Sequence, residues 1–215
     1  MVDISDSLDK YILSHIDPEP DDLHRIYRDT HIRHLYPRMC AGHYQGRLLK
    51  MITSMIKPTR VLELGTFTGY STLSIAEGLP PTAVIDTIEI DDEKDDELRH
   101  TFESSQFGSR INLYIGDALQ IIPTLGRRWE MVYIDADKRL YSDYLEAVLP
   151  HVTLGGFILA DNTLWDLKVL DAKNSKDGGQ TEALARFNDE VARDKRLEKV
   201  ILPVRDGLTI MRRIQ

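Results

Sequence analysis

Short apolar runs alternate with amphipathic stretches along most of the chain from residue 57 onward. This alternation is typical of βα units that build a mostly parallel sheet. Runs rich in Val, Ile, Leu, Phe or Tyr predict strands at 60–64, 84–90, 111–115, 131–135 and 156–161. The stretches between these runs predict helices at 70–77, 92–105, 118–124 and 139–149. We therefore expect a doubly wound α/β core.

The last part of the chain has a different pattern. A predicted helix at 182–193 is followed by two β-like runs, 197–202 and 208–212, which are connected by Pro203-Val204-Arg205-Asp206-Gly207. An Asp-Gly pair between two apolar runs is a hairpin signal. The last strand is therefore predicted to enter the sheet antiparallel to its neighbours.

Residues 1–56 are predicted to form two or three helices that cap the core. The helices are interrupted at Asp17-Pro18-Glu19-Pro20 and at Pro37, because proline lacks the amide hydrogen that a helix interior needs. Between residues 23 and 38 the cap carries a basic patch, in which Asp29 is the only acid: Arg25, Arg28, Arg33, Arg38, His24, His31 and His34. The patch is either a solvated helix face or a surface that binds a phosphate-bearing substrate.

Composition narrows the possible classes of protein. The length of 215 residues fits one domain, with 1–56 as the cap and 57–215 as the core. The formal net charge of -8 argues against general binding to nucleic acid or to an anionic membrane. Cys40 is the only cysteine, so no internal disulfide can form, and no apolar run approaches the ~18 residues of a membrane span. The N-terminus lacks an apolar leader, so we expect a cytoplasmic protein.

The first chemical signal is a glycine turn after the first predicted strand. The segment Glu63-Leu64-Gly65-Thr66-Phe67-Thr68-Gly69-Tyr70-Ser71 leads from this strand into a helix. Glycine at 65 and 69 removes the Cβ that would keep a ligand from the backbone, and the amides of the following helix favour an anion. The spacing Gly-x-x-x-Gly lacks the pyrophosphate-binding pattern of dinucleotide enzymes. A nucleotide-dependent oxidoreductase is therefore disfavoured.

Two acids follow the second and third predicted strands. Glu89 is the one polar group between two isoleucines at the end of an apolar run, where a carboxylate can accept both hydroxyls of a ribose. Asp117, in Gly116-Asp117-Ala118, either receives an adenine amino group or caps the next helix.

Polar side chains also follow the fourth and fifth predicted strands. Asp135 and Asp137 come after one run, and Asp161 and Asn162 come after the other. The carboxyl ends of parallel strands share one edge of a sheet, so these residues can converge there. Carboxylate and amide oxygens suit a hard cation such as Mg²⁺. Each residue also has a structural alternative, since Asp137 could cap a helix and Asp-Asn is common in turns.

Four segments in this order resemble the cation-dependent O-methyltransferases, the group that includes catechol and caffeoyl-CoA O-methyltransferases. They are the turn Glu63 to Ser71, Ile134-Asp135-Ala136-Asp137-Lys138, Asp161-Asn162-Thr163-Leu164-Trp165, and Leu202-Pro203-Val204-Arg205-Asp206-Gly207-Leu208. The resemblance extends over about 39–213. It implies a Rossmann-like sheet of seven strands with the last one antiparallel, an S-adenosylmethionine cofactor and a homodimer.

The resemblance also implies roles for individual residues. The implied cofactor-binding residues are Met39, Ala41, Glu63, Gly65, Phe67, Ser71, Glu89, Asp117, Ala118 and Asp135. Asp135, Asp161 and Asn162 would hold Mg²⁺ or another divalent cation such as Mn²⁺ or Ca²⁺. Lys138 falls on the family's proton-accepting lysine and, with Asp135, would be catalytic. The implied substrate contacts are Asp137, Lys138, Asn162 and Trp165.

We therefore expect methyl transfer to one hydroxyl of a catechol-like or caffeoyl-type aromatic diol. Two alternatives stay open. The first is methylation of a hydroxyuridine in tRNA, which the basic patch would serve although the acidic total disfavours nucleic acid, and the second is a non-catalytic S-adenosylmethionine-binding module. Residues 165–180 are predicted to form a lid over the site.

Overall fold

The N-terminal region contains three helices in the computed structural model, which describes residues 4–174, 176–177 and 179–215. Helices α1 (Ile4–Leu13), α2 (Asp21–Arg33) and α3 (Gly42–Ile56) are separated at the predicted proline positions. A short 3₁₀ turn, Pro37–Met39, leads from α2 towards α3. Leu23 and Ile26 of α2 pack against Tyr70 and Phe102 of the core, so the cap lies directly over the glycine turn.

The core is a sheet of seven strands in the order β3-β2-β1-β4-β5-β7-β6. The strands are β1 (Arg60–Leu64), β2 (Val84–Glu89), β3 (Ile111–Ile115), β4 (Trp129–Ile134), β5 (Val152–Asp161), β6 (Leu197–Leu202) and β7 (Leu208–Arg213). The remaining helices are α4 (Tyr70–Gly78), α5 (Asp95–Glu103), α6 (Ala118–Leu125), α7 (Tyr141–Val148) and α8 (Gln180–Arg193). β7 lies between β5 and β6 and is antiparallel to both, which confirms the predicted hairpin and antiparallel last strand.

Both faces of the sheet are covered, as expected for a doubly wound fold. Alternation along β1 sends Val61 to the face that α3 and α4 cover and Leu62 to the opposite face. On that opposite face the buried side chains of α6, α7 and α8 complete the core, with the fully buried Trp129 among them. Among the described residues, no helix has the length and apolar character needed to cross a bilayer.

Several predicted strand boundaries differ from the structure by one to four residues. β5 begins at Val152, four residues before the predicted start, because a register shift opposite β4 carries the strand through Gly155, whose φ is +82°. The same irregularity accompanies the earlier start of β4 at Trp129. β2 ends at Glu89, and Ile90, which had been included in the strand, is exposed.

The strand register brings the predicted site residues together. Leu64 pairs with Ile134, and Ile134 pairs with Ala160. The residues that follow these three, namely Gly65, Asp135 and Asp161, therefore lie side by side at the carboxyl edge of the sheet. This edge is also where the strand order reverses between β1 and β4, the position at which open α/β sheets bind ligands.

Candidate active site

Two cavities meet at this edge of the sheet. The first cavity has a volume of about 610 Å³ and the second about 620 Å³. Gly65, Phe67 and Asp135 line both, as do Leu35, Tyr36 and Met39 from the segment between α2 and α3. A ligand lying across Gly65 and Asp135 would therefore occupy both cavities.

Most of the predicted site residues line these cavities. The predicted residues in the first cavity are Met39, Ala41, Gly65, Phe67, Ser71, Asp135, Lys138, Asp161, Asn162 and Trp165. Those in the second are Met39, Gly65, Phe67, Glu89, Ala118 and Asp135. Glu63, Asp117 and Asp137 line neither of the two.

The glycine turn is held open by backbone geometry and by Glu89. Gly65 has a φ of +93° and Gly69 a φ of +82°, values that residues with a Cβ rarely adopt. The Glu89 carboxylate is almost buried, and its Oε2 accepts hydrogen bonds from the amides of Thr66 at 3.1 Å and Phe67 at 2.7 Å. Glu89 therefore supports the turn as well as lining the second cavity, and its contact with a ribose stays a prediction.

Glu63 lies beneath the turn instead of facing a cavity. Its side chain is fully buried, and Oε2 accepts hydrogen bonds from the hydroxyls of Thr72 at 2.5 Å and Thr87 at 2.6 Å. Oε1 has no hydrogen-bond partner among the described residues. Burial raises the pKa of Glu63 to about 7, although these hydroxyls favour the ionised form.

Asp117 and Asp137 both act as helix N-caps. Asp117 accepts a hydrogen bond from the amide of Leu119 at 2.9 Å at the start of α6, which is one of its two predicted roles. Asp137 accepts from the amide of Arg139 at 3.0 Å and pairs with its guanidinium at 2.5 Å. The hydrogen bonds from Arg139 hold the pKa of Asp137 below its usual value.

Asp135 and Lys138, which line the first cavity, form a connected group with the fully buried Tyr141. Lys138 is buried, and its Nζ lies 2.6 Å from Oδ1 of Asp135 and 2.7 Å from the hydroxyl of Tyr141. That hydroxyl donates in turn to the carbonyl oxygen of Asp161 at 2.9 Å. The ammonium group is therefore fixed between the loops that follow β4 and β5.

Asp161 is the most enclosed carboxylate of the cavity. Oδ2 accepts hydrogen bonds from the Tyr133 hydroxyl at 2.8 Å and from Nε2 of Gln45, and Oδ1 accepts from the amide of Asn162 at 2.9 Å. Burial and, to a lesser extent, the nearby charge of Asp135 raise the pKa of Asp161 to about 6. Two carboxylates that repel each other in one cavity would be stabilised by a cation between them.

The side chains of Asp135, Asp161 and Asn162 offer two carboxylates and an amide oxygen to the first cavity. This oxygen donor set fits a hard divalent cation that keeps other positions for water or substrate. In the described part of the chain, no group of three or more His, Cys, Asp or Glu side chains could hold a metal ion. The predicted set would thus depend on the amide of Asn162, whose backbone is left-handed with a φ of +56°.

The loop after Asn162 has an unusual backbone. Trp165, Asp166 and Leu167 have φ values of +46°, +53° and +62°, and strain of this kind in non-glycine residues is concentrated at functional sites. The indole of Trp165 donates to Oδ2 of Asp177 at 3.0 Å. Ser175 and Gly178 of the predicted lid lie outside the described residues, and the lid stays a prediction.

Sequence reasoning gave no role to four residues that the structure places at the site. Tyr133 was included in an apolar strand, and Tyr141 in a helix one turn after Lys138. Arg205 belongs to one of the four segments that carried the family resemblance, whereas Gln45 lies outside them, and Nη1 of Arg205 donates to Oε1 of Gln45 at 3.0 Å. Lys138 and Tyr141 are three residues apart, and this spacing could have indicated that their side chains are in contact. No local pattern in the sequence indicates the pairing of Gln45 with Arg205.

The basic patch is divided among three cavities. Arg38 lines the first cavity, Arg33 and His34 line the second, and Arg25 and Arg33 line a smaller cavity of about 450 Å³ between α2 and α5. His34 also pairs with Glu97 at 3.2 Å. The predicted choice between a solvated face and a substrate-binding surface stays open.

The sheet order, the antiparallel β7 and the paired cavities at the switch point define a class I methyltransferase, and solved structures of that class share the fold. The S-adenosylhomocysteine-bound methyltransferase PaMTH1 of Podospora anserina superposes with a TM-score of 0.90, at 26% identity over 98% of this chain and 95% of that one. The O-methyltransferase of Bacillus cereus, in complex with S-adenosylhomocysteine, gives a TM-score of 0.88 at 24% identity, covering 96% and 97%.

The family follows from the sequence. Residues 14–214 match the O-methyltransferase family. The chain is 32% identical to a caffeoyl-CoA O-methyltransferase of Eucalyptus gunnii over 98% of its own length and 89% of the relative. The chain belongs to the O-methyltransferase family and is an S-adenosylmethionine-dependent enzyme. The predicted fold, family, enzyme class and organic cofactor are thereby confirmed.

Proposed function

We propose that this enzyme transfers the methyl group of S-adenosylmethionine to one hydroxyl of a small aromatic diol, catechol-like or caffeoyl-type, with the help of a divalent cation. The observation that carries the proposal is the grouping of Asp135, Asp161, Asn162 and Lys138 in the first cavity. The resemblance to caffeoyl-CoA O-methyltransferases supports the same acceptor class.

The chemistry explains why such a grouping would be useful. A phenol with a pKa near 10 is ionised in only about one molecule per 10³ at pH 7, a deficit of roughly 4 kcal/mol. Neutral phenol is a poor nucleophile towards a methyl sulfonium. Mg²⁺, or Mn²⁺ or Ca²⁺, bound to the three side chains would stabilise the phenolate, as metals do for bound water.

Each part of the site then has a defined task. The second cavity would take the adenosine end of the cofactor, with Glu89 and Ala118 on its wall, while the turn from Gly65 to Ser71 would hold the methionine end. The methyl group would lie where the cavities meet, close to Asp135. In its neutral amine form, Lys138 would accept the proton of the reacting hydroxyl and become the ammonium that pairs with Asp135, which would hold the lysine in position. Trp165 would cover one side of the aromatic ring.

The experiment is an assay of a catechol panel with S-adenosylmethionine, with and without EDTA, followed by addition of Mg²⁺, Mn²⁺ or Ca²⁺. We expect EDTA to remove the activity and Mg²⁺ to restore it. Asp161→Asn should be nearly inactive with every metal, whereas the exposed Asp189→Asn should behave as wild type. Undiminished turnover in EDTA would rule out the metal, and failure to methylate any diol would rule out the acceptor class.

We also propose the homodimer and the cytoplasmic location that the sequence predicts. Exposed apolar side chains on the edge strand β6, Val200 and Ile201, and on α3, Met51 and Met55, support self-association. Sedimentation of the purified protein would test the dimer, and fractionation of the source cells would test the location.

A further inference from the structure

Two arginines line the first cavity without a carboxylate within 4 Å among the described residues. They are Arg38, from the segment between α2 and α3, and Arg205, from the turn between β6 and β7. The third cation of the cavity, Lys138, is paired with Asp135. A cation that lines a binding cavity without an acidic partner is available to an anionic ligand.

Arg205 is held close to Asp161 by Gln45. Its Nη1 donates to Oε1 of Gln45 at 3.0 Å, and Nε2 of the same amide donates to Oδ2 of Asp161. Two hydrogen bonds and one amide group separate the guanidinium from this carboxylate, so the distance between them is no more than about 8 Å.

The backbone position of Arg205 is fixed by hydrogen bonds of the turn that carries it. Arg205 has a left-handed φ of +49°. The carbonyl of the next residue, Asp206, accepts hydrogen bonds from the amides of Leu164 at 2.7 Å and Trp165 at 3.1 Å. The turn between β6 and β7 is thus joined to the loop that carries Asn162, and Arg205 keeps its place relative to that loop.

The carboxyl group of Asp206 does not fully neutralise the positive charge of the Arg205 guanidinium. Asp206 also lines the first cavity, but its carboxyl lies against that of Asp166. Burial and the negative charge of Asp166 raise the pKa of Asp206, which disfavours its ionised form, although the positive charge of Arg205 acts in the opposite direction. Lys138 is already neutralised by Asp135. Among the described residues, Arg205 and Arg38 are therefore the cations of this cavity without a carboxylate within 4 Å, while Asp135 and Asp161 supply its carboxylates.

We propose that Arg205 is a specificity-determining residue that selects aromatic diols bearing a carboxylate, either on the ring or on a short side chain. This rests on the proposed function, in which the diol hydroxyls lie beside Asp135 and Asp161. In 3,4-dihydroxybenzoate the carboxylate lies about 6 Å from the hydroxyl oxygens, which is within the upper limit of about 8 Å between Arg205 and Asp161. The planar guanidinium binds such a group with two parallel hydrogen bonds.

The test compares 3,4-dihydroxybenzoate with the uncharged 3,4-dihydroxybenzaldehyde, which has the same ring and hydroxyls. The readout is the ratio of their kcat/KM values, because any disturbance of Asp161 through Gln45 affects both substrates and cancels. We expect wild type to prefer the benzoate and Arg205→Gln to lower the ratio roughly 10- to 100-fold, as for the loss of a charged hydrogen bond. Arg205→Lys should restore part of the preference.

Arg38→Gln is the matched control, since it removes the other unpaired cation of the same cavity. A ratio that Arg205→Gln leaves unchanged, or that Arg38→Gln lowers equally, would overturn the proposal. The anion could also be a phosphate of a coenzyme A thioester, so caffeate and caffeoyl-CoA are compared in the same variants. A decrease in kcat/KM that is confined to caffeoyl-CoA would show that Arg205 binds a phosphate of the coenzyme, and it would reject the proposed binding of a carboxylate.

A binding measurement can test the role of Arg205 even if the proposed function is wrong. If no diol is methylated, the proposed function fails, but calorimetric titration of 3,4-dihydroxybenzoate into the protein with S-adenosylhomocysteine still tests Arg205. A Kd that rises at least tenfold in Arg205→Gln, with no such rise for the aldehyde, supports the selection of carboxylates. Equal Kd values in wild type and variant would refute it.

Discussion

Gly65 and Asp135 lie so close together that a Cβ on Gly65 would overlap the carbonyl oxygen of Asp135. The contact joins the glycine turn after β1 to the loop after β4, at the point where the two cavities meet. It combines with the positive φ of Gly65 to exclude every other residue type at this position.

Gly65→Ala should therefore abolish cofactor binding and destabilise the protein. The added methyl group must displace either the turn or the backbone of Asp135, which both cavities use. Calorimetry with S-adenosylmethionine and a thermal melt measure the two effects. Gly126→Ala is the control, because Gly126 also has a positive φ but has open space around it. Equal effects of the two substitutions would show that backbone conformation alone matters.

The fold could largely be predicted because its strands are local patterns. The bounds of β1, β3 and β6 agree with the sequence, since each is an apolar run between polar or glycine-containing segments. The start of β5 could not be predicted, because Gly155-Gly156 has the composition of a turn and only pairing with β4 makes it part of a strand.

The positions of the candidate site residues could likewise be predicted where they follow from local patterns, but not where they depend on packing. The position of Asp135, Asp161 and Asn162 in one cavity could be predicted because they directly follow strands, and parallel strands bring such positions to one edge. Glu63 was expected to bind the cofactor, but its side chain turns into the core beneath the turn, where Thr72 and Thr87 bind it. Whether the side chain of an acid before a glycine turn faces the cavity or the core depends on the packing of α4, which the sequence does not show.

Lys138→Met should lower kcat by roughly 10²- to 10⁴-fold, the range typical of a lost general base, and leave the Kd for S-adenosylmethionine almost unchanged. The ammonium contacts Asp135 and Tyr141 in the first cavity and lies outside the lining of the second. Single-turnover assays with a catechol and calorimetry with the cofactor separate the two quantities. Lys195→Met, which changes an exposed lysine after α8 that lines neither cavity, should keep full turnover. Wild-type turnover in Lys138→Met would reject the lysine as the base.

Glu63 should make the stability of the protein decrease between about pH 5 and pH 8. Burial raises its pKa in the folded state to about 7, above the usual 4.5 of a glutamate side chain, so the folded protein holds this proton more tightly than the unfolded chain. Stability is then lost as the pH rises through this window, by at most about 3 kcal/mol. Glu63→Gln should flatten the dependence of Tm on pH, because an amide does not ionise.

The control for this pH effect is Glu198→Gln, which changes an exposed acid paired with Arg212. Its melting curve should follow the wild-type pH dependence. If Glu63→Gln and wild type gave parallel plots of Tm against pH, Glu63 would not be the group responsible.

Asp86, at the opposite edge of the sheet from the cavities, should determine stability without affecting catalysis. Its carboxylate is fully buried and accepts hydrogen bonds from four side chains. The donors are Arg60 at 3.2 Å, Arg127 at 2.6 Å, Asn112 at 2.9 Å and the indole of Trp129 at 2.9 Å. Asp86→Ala would leave two guanidinium groups without their partner, and we expect the free energy of unfolding in urea to fall by about 3 kcal/mol, since both arginines can still reach water.

The folded fraction of the Asp86→Ala variant should keep the wild-type kcat. The control is Asp189→Ala, which breaks an exposed ion pair and should change neither the free energy of unfolding nor kcat. A variant at Asp86 that kept full stability but lost turnover would contradict this assignment.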